Sequence, residues 1–206
     1  MPEGPETRRA ADRISNRLRD RSLSHLRLPF PPISEFEGVL KKAHIESVTS
    51  RGKALLIRFD NGLSLYSHSQ LYGRWTVNKA STEIRWNRSL RAEFVAEGYA
   101  VRLWSATDVE VLPTDKEEEH PYILKLGPDV LDDDTTSDLI CERLESPRFN
   151  RRQASSLMLD QTFIAGLGNY LRSEILHQAG VHPKARPKDL APGAITKWGS
   201  LTKSIS

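Results

Sequence analysis

The sequence predicts an α+β chain of two domains, an N-terminal antiparallel β-sandwich with a leading helix and a C-terminal all-α domain. Three observations support this. Short β-like runs fill residues 23–112, a polar connector covers residues 115–135, and helical periodicity dominates from residue 137 onward. Short strands separated by turns are typical of an antiparallel sandwich or barrel. We place the boundary in the connector and predict domains of residues 1–128 and 129–206.

The first predicted element is a helix over about Glu3–Asp20. Pro5 is tolerated in its first turn, and arginines occupy much of its polar surface. The apolar residues of one face recur at helical spacing and are Ala10, Ala11, Ile14 and Leu18. Such a packed helix would fix the position of the residues that precede it.

The β region is predicted from eight short runs of strand-forming residues. They are Leu23–Leu28, Ile45–Thr49, Ala54–Phe59, Leu63–Ser67, Arg74–Val77, Leu90–Val95, Val101–Trp104 and Val109–Leu112. Asp60-Asn61-Gly62 offers a tight hairpin turn, and Glu97-Gly98 offers another. A loop rich in proline leads to a predicted short helix near Ser34–Leu40.

The C-terminal part is predicted to be helical. The predicted helices are Ser137–Leu144, Arg151–Leu159, a third that ends at Ala179, and a last one near Pro192–Ser206. Ser146-Pro147 ends the first helix because a residue before proline disfavours helical backbone. Gly180 closes the third.

The charge is distributed unevenly along the chain. The net charge is +3, but residues 1–114 hold 18 Lys/Arg against 13 Asp/Glu, residues 115–145 hold 3 against 11, and residues 146–206 hold 9 against 3. Two basic regions flanking an acidic connector suggest two lobes that grip a polyanion, with a solvated hinge between them. The alternative is that each charge run is only a solvated face.

The composition excludes several classes of protein. No apolar run approaches membrane-spanning length, and the N-terminus lacks the apolar stretch of a signal peptide, so we expect a cytoplasmic protein without a membrane partner. A single cysteine, Cys141, excludes an internal disulfide and a cysteine-based zinc site.

The first six residues, Met1-Pro2-Glu3-Gly4-Pro5-Glu6, contain a candidate reactive centre. If Met1 is removed, Pro2 carries a secondary amine, and a free α-amino group titrates close to neutral pH. Glu3 is then the nearest carboxyl group. An amine beside an acid/base is the arrangement needed for Schiff-base chemistry at a sugar carbon. The alternative is that Pro2 follows the initiator by chance.

Two loops of the β region contain further candidates. Arg51-Gly52-Lys53 lies at a turn between strands, where a lysine can reach a phosphate or is simply solvated. His68-Ser69-Gln70-Leu71-Tyr72-Gly73 places an apolar and an aromatic residue on a loop that ends in glycine. Exposed side chains of this kind can enter a DNA stack and fill the space left by an extruded base. Leu71 and Tyr72 could equally belong to the core.

The segment Gly166-Leu167-Gly168-Asn169-Tyr170 precedes the third predicted helix. Its glycines let backbone N–H groups approach an anion closely, and the helix dipole favours negative charge there. The segment is therefore a candidate phosphate cradle, and the alternative is an ordinary turn between helices.

Together these motifs resemble the formamidopyrimidine-DNA glycosylase/endonuclease VIII family. The Met1–Glu6 motif, Arg51–Lys53, Gln70–Gly73 and the stretch from Ile164 to Leu176 occur in the family's order, and the resemblance runs from Pro2 to about Leu190. It implies a bifunctional glycosylase and AP lyase of base-excision repair. Gly4 stands where formamidopyrimidine glycosylases typically carry leucine, which implies oxidised pyrimidines as substrates, with oxidised purines as the alternative.

The resemblance also implies a role for each matching residue. Pro2 would attack C1′ of the damaged nucleotide, Glu3 would act as acid/base, Lys53 would donate a proton or contact a phosphate, and Glu6 would support the site. The DNA-binding residues would be Gln70, Leu71 and Tyr72 in a void-filling loop and Gly168 and Asn169 near a phosphate. The implied C-terminal domain is a helix-two-turn-helix, with duplex DNA containing oxidised bases or abasic sites held between the two lobes. We expect a monomer.

One departure from the family concerns zinc. The family normally ends in a zinc ribbon with four cysteines, whose hairpin brings an arginine to the phosphates at the lesion. These 206 residues contain only Cys141, so we expect no metal or cofactor in them and a reduced affinity for DNA. A second function class therefore stays open, a non-catalytic DNA-binding remnant of the same fold, and an RNA-binding module is a third.

Overall fold

The computed structural model describes residues 2–84 and 86–206, and Met1 of the N-terminal motif lies outside the described residues. By its contacts the chain divides into two compact units. The first unit consists of Pro2 and Glu6–His120, and the second of Glu3–Pro5 and Pro121–Ser206. This division falls before the predicted boundary after residue 128, and it assigns Glu3–Pro5 to the second unit, which the sequence did not predict.

The first unit contains two four-stranded antiparallel sheets. One sheet has the order β2-β3-β4-β8 and the other the order β1-β6-β7-β5. The strands are β1 (His25–Arg27), β2 (Ile45–Arg51), β3 (Ala54–Phe59), β4 (Leu63–His68), β5 (Arg74–Lys79), β6 (Leu90–Ala96), β7 (Tyr99–Trp104) and β8 (Asp108–Pro113). The predicted antiparallel sandwich is confirmed.

The core of the first unit is shared by both sheets and the N-terminal helix α1 (Gly4–Leu18). Ala11, Ile14 and Leu18 of α1 are fully buried, as the predicted apolar stripe requires. Leu55, Ile57, Phe94 and Val101 are among the strand residues of this core. A short helix, α2 (Pro31–Ser34), begins in what was predicted to be a proline-rich loop. The predicted helix near Ser34–Leu40 corresponds to another short helix, α3 (Glu37–Leu40).

The acidic run Glu117–Glu119, at the start of the connector, was expected to be solvated, but one of its residues is buried. Glu117 is buried, and its carboxylate accepts hydrogen bonds from Arg58 Nε at 2.9 Å and Nη2 at 2.6 Å. Ser64 also donates to this carboxylate. A buried carboxylate is tolerated when it is paired and hydrogen-bonded, so Glu117 ties the connector to β3 and β4. Glu118 and Glu119 remain exposed.

The second unit is helical. Its helices are α4 (Ser137–Glu145), α5 (Ala154–Leu157), α6 (Asn169–Ala179) and α7 (Pro192–Ile205). The predicted helix-two-turn-helix architecture is confirmed. Gly180 ends α6 with a φ of +71°, as predicted. Within the described ranges, no helix is both long enough and apolar enough to cross a membrane.

Helix α5 is shorter than the predicted Arg151–Leu159. The N–H groups of Ala154 and Ser155 donate to the carbonyls of Ala185 and Pro183, which fixes the start of the helix. Beyond its end, the Asp160 carboxylate accepts the Thr162 N–H at 2.8 Å and closes a turn. Such a local side-chain bond offers the backbone an alternative to further helix.

Candidate active site

The N-terminal segment of the second unit packs directly against Gly166. The Gly4 N–H donates to the Gly166 carbonyl at 2.8 Å. A Cβ atom on Gly4 would lie 3.0 Å from Gly166 Cα, so the two backbones approach too closely for an unstrained side chain at this position. Gly166 has a φ of +92°, which favours glycine. This contact fixes the backbone directly after Glu3.

The side chain of Glu3 caps helix α6. It is only 5% exposed, and its two carboxylate oxygens accept the N–H groups of Tyr170 at 2.7 Å and Leu171 at 3.1 Å. The N-cap residue of α6 is Gly168, which has no side chain to bond these N–H groups. A carboxylate at a helix N-terminus satisfies unpaired donors and complements the helix dipole. Helix α6 therefore holds Glu3 in a single orientation.

Gly168 is the residue that admits the Glu3 carboxylate. A Cβ atom on Gly168 would lie 2.3 Å from Glu3 Cδ, which is impossible without displacement of one of them. We predicted that the N–H groups at this helix start would form a phosphate cradle, but two of them bind Glu3 instead. Asn169, the first residue of α6, is exposed, and its predicted phosphate contact stays a prediction.

Pro2 lines a pocket of about 510 Å³ in the first unit. The same pocket is lined by three of the predicted site residues, Glu6, Leu71 and Tyr72. The remaining charged residues of its wall are Arg9, Arg13, Arg74 and Arg88. Four guanidinium groups provide donors suited to phosphate oxygens. The pocket thus combines the candidate nucleophile with a wall rich in arginine.

A tight loop, Ser69–Gly73, which we call the wedge loop, presents Leu71 and Tyr72 to solvent. The two side chains are 73% and 71% exposed, so the alternative that they belong to the core is wrong. The Gly73 N–H donates to the Ser69 carbonyl at 2.7 Å, and a Cβ atom on Gly73 would lie 2.5 Å from that oxygen. Glycine is therefore required to close the loop behind the exposed pair.

Three side-chain contacts hold the wedge loop in place. The Gln70 N–H donates to His68 Nδ1 at 3.2 Å, and Thr107 Oγ1 donates to Gln70 Oε1 at 3.0 Å. Arg88 Nη1 donates to the Tyr72 carbonyl at 2.6 Å. Gln70 is thus a residue that orders the loop as well as a predicted DNA contact. The role of Arg88 was not predicted, since nothing in the sequence distinguishes this arginine from its neighbours.

Lys53 is 6% exposed, so the alternative of a solvated lysine at the turn is wrong. It follows Gly52, which has a φ of +58° and sets the turn between β2 and β3. Burial lowers the pKa of His68, and the nearby Lys53 ammonium lowers it further, while Asp108 opposes both. Lys53 is therefore close to His68, at the base of the wedge loop. It is not part of the wall of the Pro2 pocket.

Residues 1–107 match the family model of the formamidopyrimidine-DNA glycosylase N-terminal domain, and residues 126–203 match that of the formamidopyrimidine-DNA glycosylase H2TH domain. The chain belongs to the formamidopyrimidine-DNA glycosylase family. Members of this family named Endonuclease 8 are among its relatives. The protein of Escherichia coli O17:K52:H18 (strain UMN026) is 45% identical over 191 residues, which cover 93% of this chain and 73% of the relative. The protein of Shigella flexneri is 45% identical over 190 residues, which cover 92% and 72%.

Solved structures of the family share the fold. The Lactococcus lactis formamidopyrimidine-DNA glycosylase bound non-covalently to DNA containing an AP site superposes with a TM-score of 0.83 at 19% identity, covering 98% of this chain and 78% of that one. A complex of the Lactococcus lactis protein with THF-DNA and an inhibitor gives a TM-score of 0.83 at 20% identity, covering 99% and 78%. At 19–20% sequence identity, these superpositions show only that the fold is shared.

The family's cysteine-based zinc site does not fit the donors of these residues. Cys141 is the single cysteine of the sequence, and its Sγ atom contacts the Ile195 carbonyl of α7 at 3.6 Å. Across the described residues, no group of three or more His, Cys, Asp or Glu side chains is placed to hold a metal ion.

Proposed function

We propose that Pro2 is the nucleophile through which this chain removes oxidised pyrimidines from duplex DNA and then cleaves the strand. The chain is a bifunctional DNA glycosylase and AP lyase of base-excision repair, as its family and its 45% identity to Endonuclease 8 indicate. Duplex DNA is the corresponding partner, as in the lesion complexes of its structural neighbours. The observation that supports the mechanism best is the fixed carboxylate of Glu3, directly after Pro2.

The first step forms a bond between the Pro2 nitrogen and C1′ of the damaged nucleotide. The unprotonated secondary amine donates its electron pair to C1′, and the bond between C1′ and the base breaks. The base leaves with the electron pair of the broken bond and takes up a proton, and the nitrogen releases its own proton. Opening of the sugar ring at O4′ gives an iminium ion. An amide nitrogen cannot do this, so the step requires removal of Met1.

The second step cleaves the strand. The iminium acidifies the C2′ proton, whose loss expels the 3′ phosphate, and a second elimination then expels the 5′ phosphate. Hydrolysis of the remaining adduct returns the free amine. One nitrogen therefore serves both base excision and strand cleavage.

Glu3 is proposed to be the acid/base for these steps. The α6 N–H groups of Tyr170 and Leu171 orient its carboxylate. The carboxylate takes the proton that the Pro2 nitrogen releases, passes it to O4′ as the ring opens, and accepts the C2′ proton later. A preorganised group avoids reorientation at the moment of reaction. Lys53 and Asn169 are proposed to contact phosphates at the lesion, and Glu6 is proposed to support the Pro2 pocket.

The wedge loop is proposed to fill the space left by the extruded nucleotide. Extrusion requires a few kcal/mol of unstacking, which an inserted side chain offsets in part. Leu71 and Tyr72 are exposed, as such a role requires. The hydrogen bonds of the Gly73 N–H and of Arg88 to backbone carbonyls of the loop hold their backbone in place. Gly4 supports the preference for oxidised pyrimidines. A monomeric state and a cytoplasmic location remain predictions.

Borohydride trapping tests this mechanism. The Met1-free chain is incubated with a duplex containing thymine glycol or dihydrouracil and reduced with sodium borohydride, which converts the iminium to a stable amine. We expect a covalent protein–DNA adduct, and no adduct from the matched control, the same chain with Met1 retained. Intact-mass measurement identifies both forms. Absence of an adduct from the Met1-free chain, together with retained lesion binding, would contradict the mechanism and favour a non-catalytic DNA-binding protein.

A further inference from the structure

A second pocket of the first unit adjoins the Pro2 pocket and shares Arg13, Arg74 and Trp75 with it. Its volume is about 290 Å³, close to the lower limit of ordinary ligand sites, at roughly 300 Å³. Trp86, on the loop between β5 and β6, forms another part of its wall. The mechanism above gives this pocket no role.

Trp86 is an exposed aromatic side chain close to two cations. Its side chain is 41% exposed, and its ring centroid lies 5.2 Å from the Arg74 guanidinium carbon and 5.6 Å from that of Arg88. Both distances fall within the range of a cation–π interaction. The centroid of the Trp104 ring, at the end of β7, lies 5.9 Å from that of Trp86, with an interplanar angle of 60°. The position of the ring is thus defined although much of its surface contacts solvent.

The surroundings of Trp86 suit a nucleotide. Proteins that bind unpaired nucleic acid combine a stacking aromatic side chain with basic groups that follow the phosphates. Arg13, Arg74 and Arg88 are all exposed here. Arg88 also donates to the Tyr72 carbonyl, so the Trp86 ring and the wedge loop are joined through one guanidinium group. A strand that contacts Tyr72 therefore passes close to Trp86.

We propose that this second pocket binds an unpaired nucleobase beside the lesion. Trp86 would be its stacking surface, and Arg74 of its wall and Arg88 of the adjoining Pro2 pocket would contact the phosphates. The inference rests on the proposed function, because the damaged nucleotide itself must reach Pro2 in the adjoining pocket. The second pocket then receives a neighbouring nucleotide. It follows that the chain binds a lesion flanked by unpaired nucleotides more tightly than the same lesion in a fully paired duplex.

The test compares two duplexes that carry a tetrahydrofuran abasic analogue, one fully paired and one with a short unpaired run beside the analogue. Affinities are measured for the unmodified chain, Trp86→Ala and Trp86→Phe. We expect Trp86→Ala to weaken binding of the unpaired-flank duplex about tenfold, equivalent to about 1.4 kcal/mol, and to change binding of the paired duplex less than about twofold. Trp86→Phe retains a stacking ring and should recover most of the loss.

Leu124→Ala is the matched control, since Leu124 is an exposed apolar residue of the second unit, and it should change neither affinity. Equal losses on both duplexes, or no loss on either, would overturn the inference. Borohydride trapping by the unmodified chain and by Trp86→Ala, on a paired duplex with a natural abasic site, reports separately on Pro2. An adduct without the affinity difference would reject the second pocket alone, whereas no adduct from the unmodified chain would reject the proposed chemistry.

Discussion

Glu3 and the wedge loop are held in opposite ways. Glu3 is buried, both of its carboxylate oxygens accept backbone N–H groups, and Gly168 admits the carboxylate because it has no Cβ atom. Leu71 and Tyr72 are each more than two-thirds exposed, and the hydrogen bonds that hold their loop are made by its backbone and by the Gln70 side chain. The comparison indicates that the proposed acid/base is positioned by the fold, whereas the proposed DNA-contacting side chains acquire partners on binding. Substitutions in the two regions should therefore separate catalysis from binding.

Gly168→Ala should have the largest effect. The added methyl group would overlap Glu3 Cδ and displace the carboxylate from the start of α6. Misplacement of a catalytic group by about 1 Å can reduce a rate about a hundredfold, so we expect a loss of at least that order in single-turnover base excision. Overpacking of this kind also destabilises a protein by about 1–3 kcal/mol, which thermal unfolding would detect.

Gly193→Ala is the control for this substitution. A Cβ atom at Gly193, in the first turn of α7, would meet nothing within 4 Å, so its rate should be unchanged. If Gly168→Ala excised bases at the rate of the unmodified chain, the fixed position of Glu3 would not matter for the chemistry. The proposed difference between Glu3 and the wedge loop would then be wrong.

The double substitution Leu71→Ala and Tyr72→Ala should act on binding alone. Loss of contacts with the base stack, worth about 1–3 kcal/mol, should weaken lesion-duplex affinity about tenfold to a hundredfold. Stability should change by less than about 0.5 kcal/mol, because both side chains are exposed. Fluorescence anisotropy and thermal unfolding measure the two quantities. A large fall in melting temperature with unchanged affinity would show that the loop is structural.

The smallest expected effect concerns His68, which joins the wedge loop to Lys53. Burial and the Lys53 ammonium lower its pKa below the usual 6.5, with Asp108 opposing them, so the folded chain favours the neutral ring that accepts the Gln70 N–H. As pH falls below about 6.5, the unfolded chain takes up this proton first. The contribution of His68 to stability is therefore present above that pH and is lost as pH falls through the lowered pKa.

His68→Gln retains a hydrogen-bond acceptor that does not titrate. We expect its melting temperature to fall less steeply than that of the unmodified chain as the pH is lowered from about 6.5. His177→Gln, which changes an exposed histidine of α6, should retain the original slope. Identical slopes for the unmodified chain and His68→Gln would mean that the His68 proton has no link to folding.

The sequence predicted the fold well because periodicity reports local structure. The run Ala54–Phe59 has the predicted bounds, and the apolar stripe of α1 lies in the core as expected. The exposure of Leu71 and Tyr72 could not be decided from the residues alone, since apolar side chains in a short loop suit the core equally well. Only the resemblance to the family favoured the exposed state.

The environment of the candidate site was less predictable because it depends on distant contacts. Glu3 and Tyr170 are 167 residues apart, and no local pattern indicates that one caps the helix of the other. Gly168 was consequently predicted to contact a DNA phosphate, whereas in the structure it makes room for Glu3. Glu117 was expected to be solvated for a similar reason, since Arg58 and Ser64, which allow its burial, come from another part of the chain.

Peptide mapping of the trapped adduct tests the central claim most directly. After borohydride reduction on a damaged duplex, nuclease treatment and trypsin digestion, mass spectrometry locates the residual sugar adduct. We predict that it lies on the N-terminal peptide Pro2–Arg8 and that Met1 is absent from that peptide. An adduct on the peptide containing Lys53, or one on a chain that still begins with Met1, would contradict the assignment of Pro2 as nucleophile.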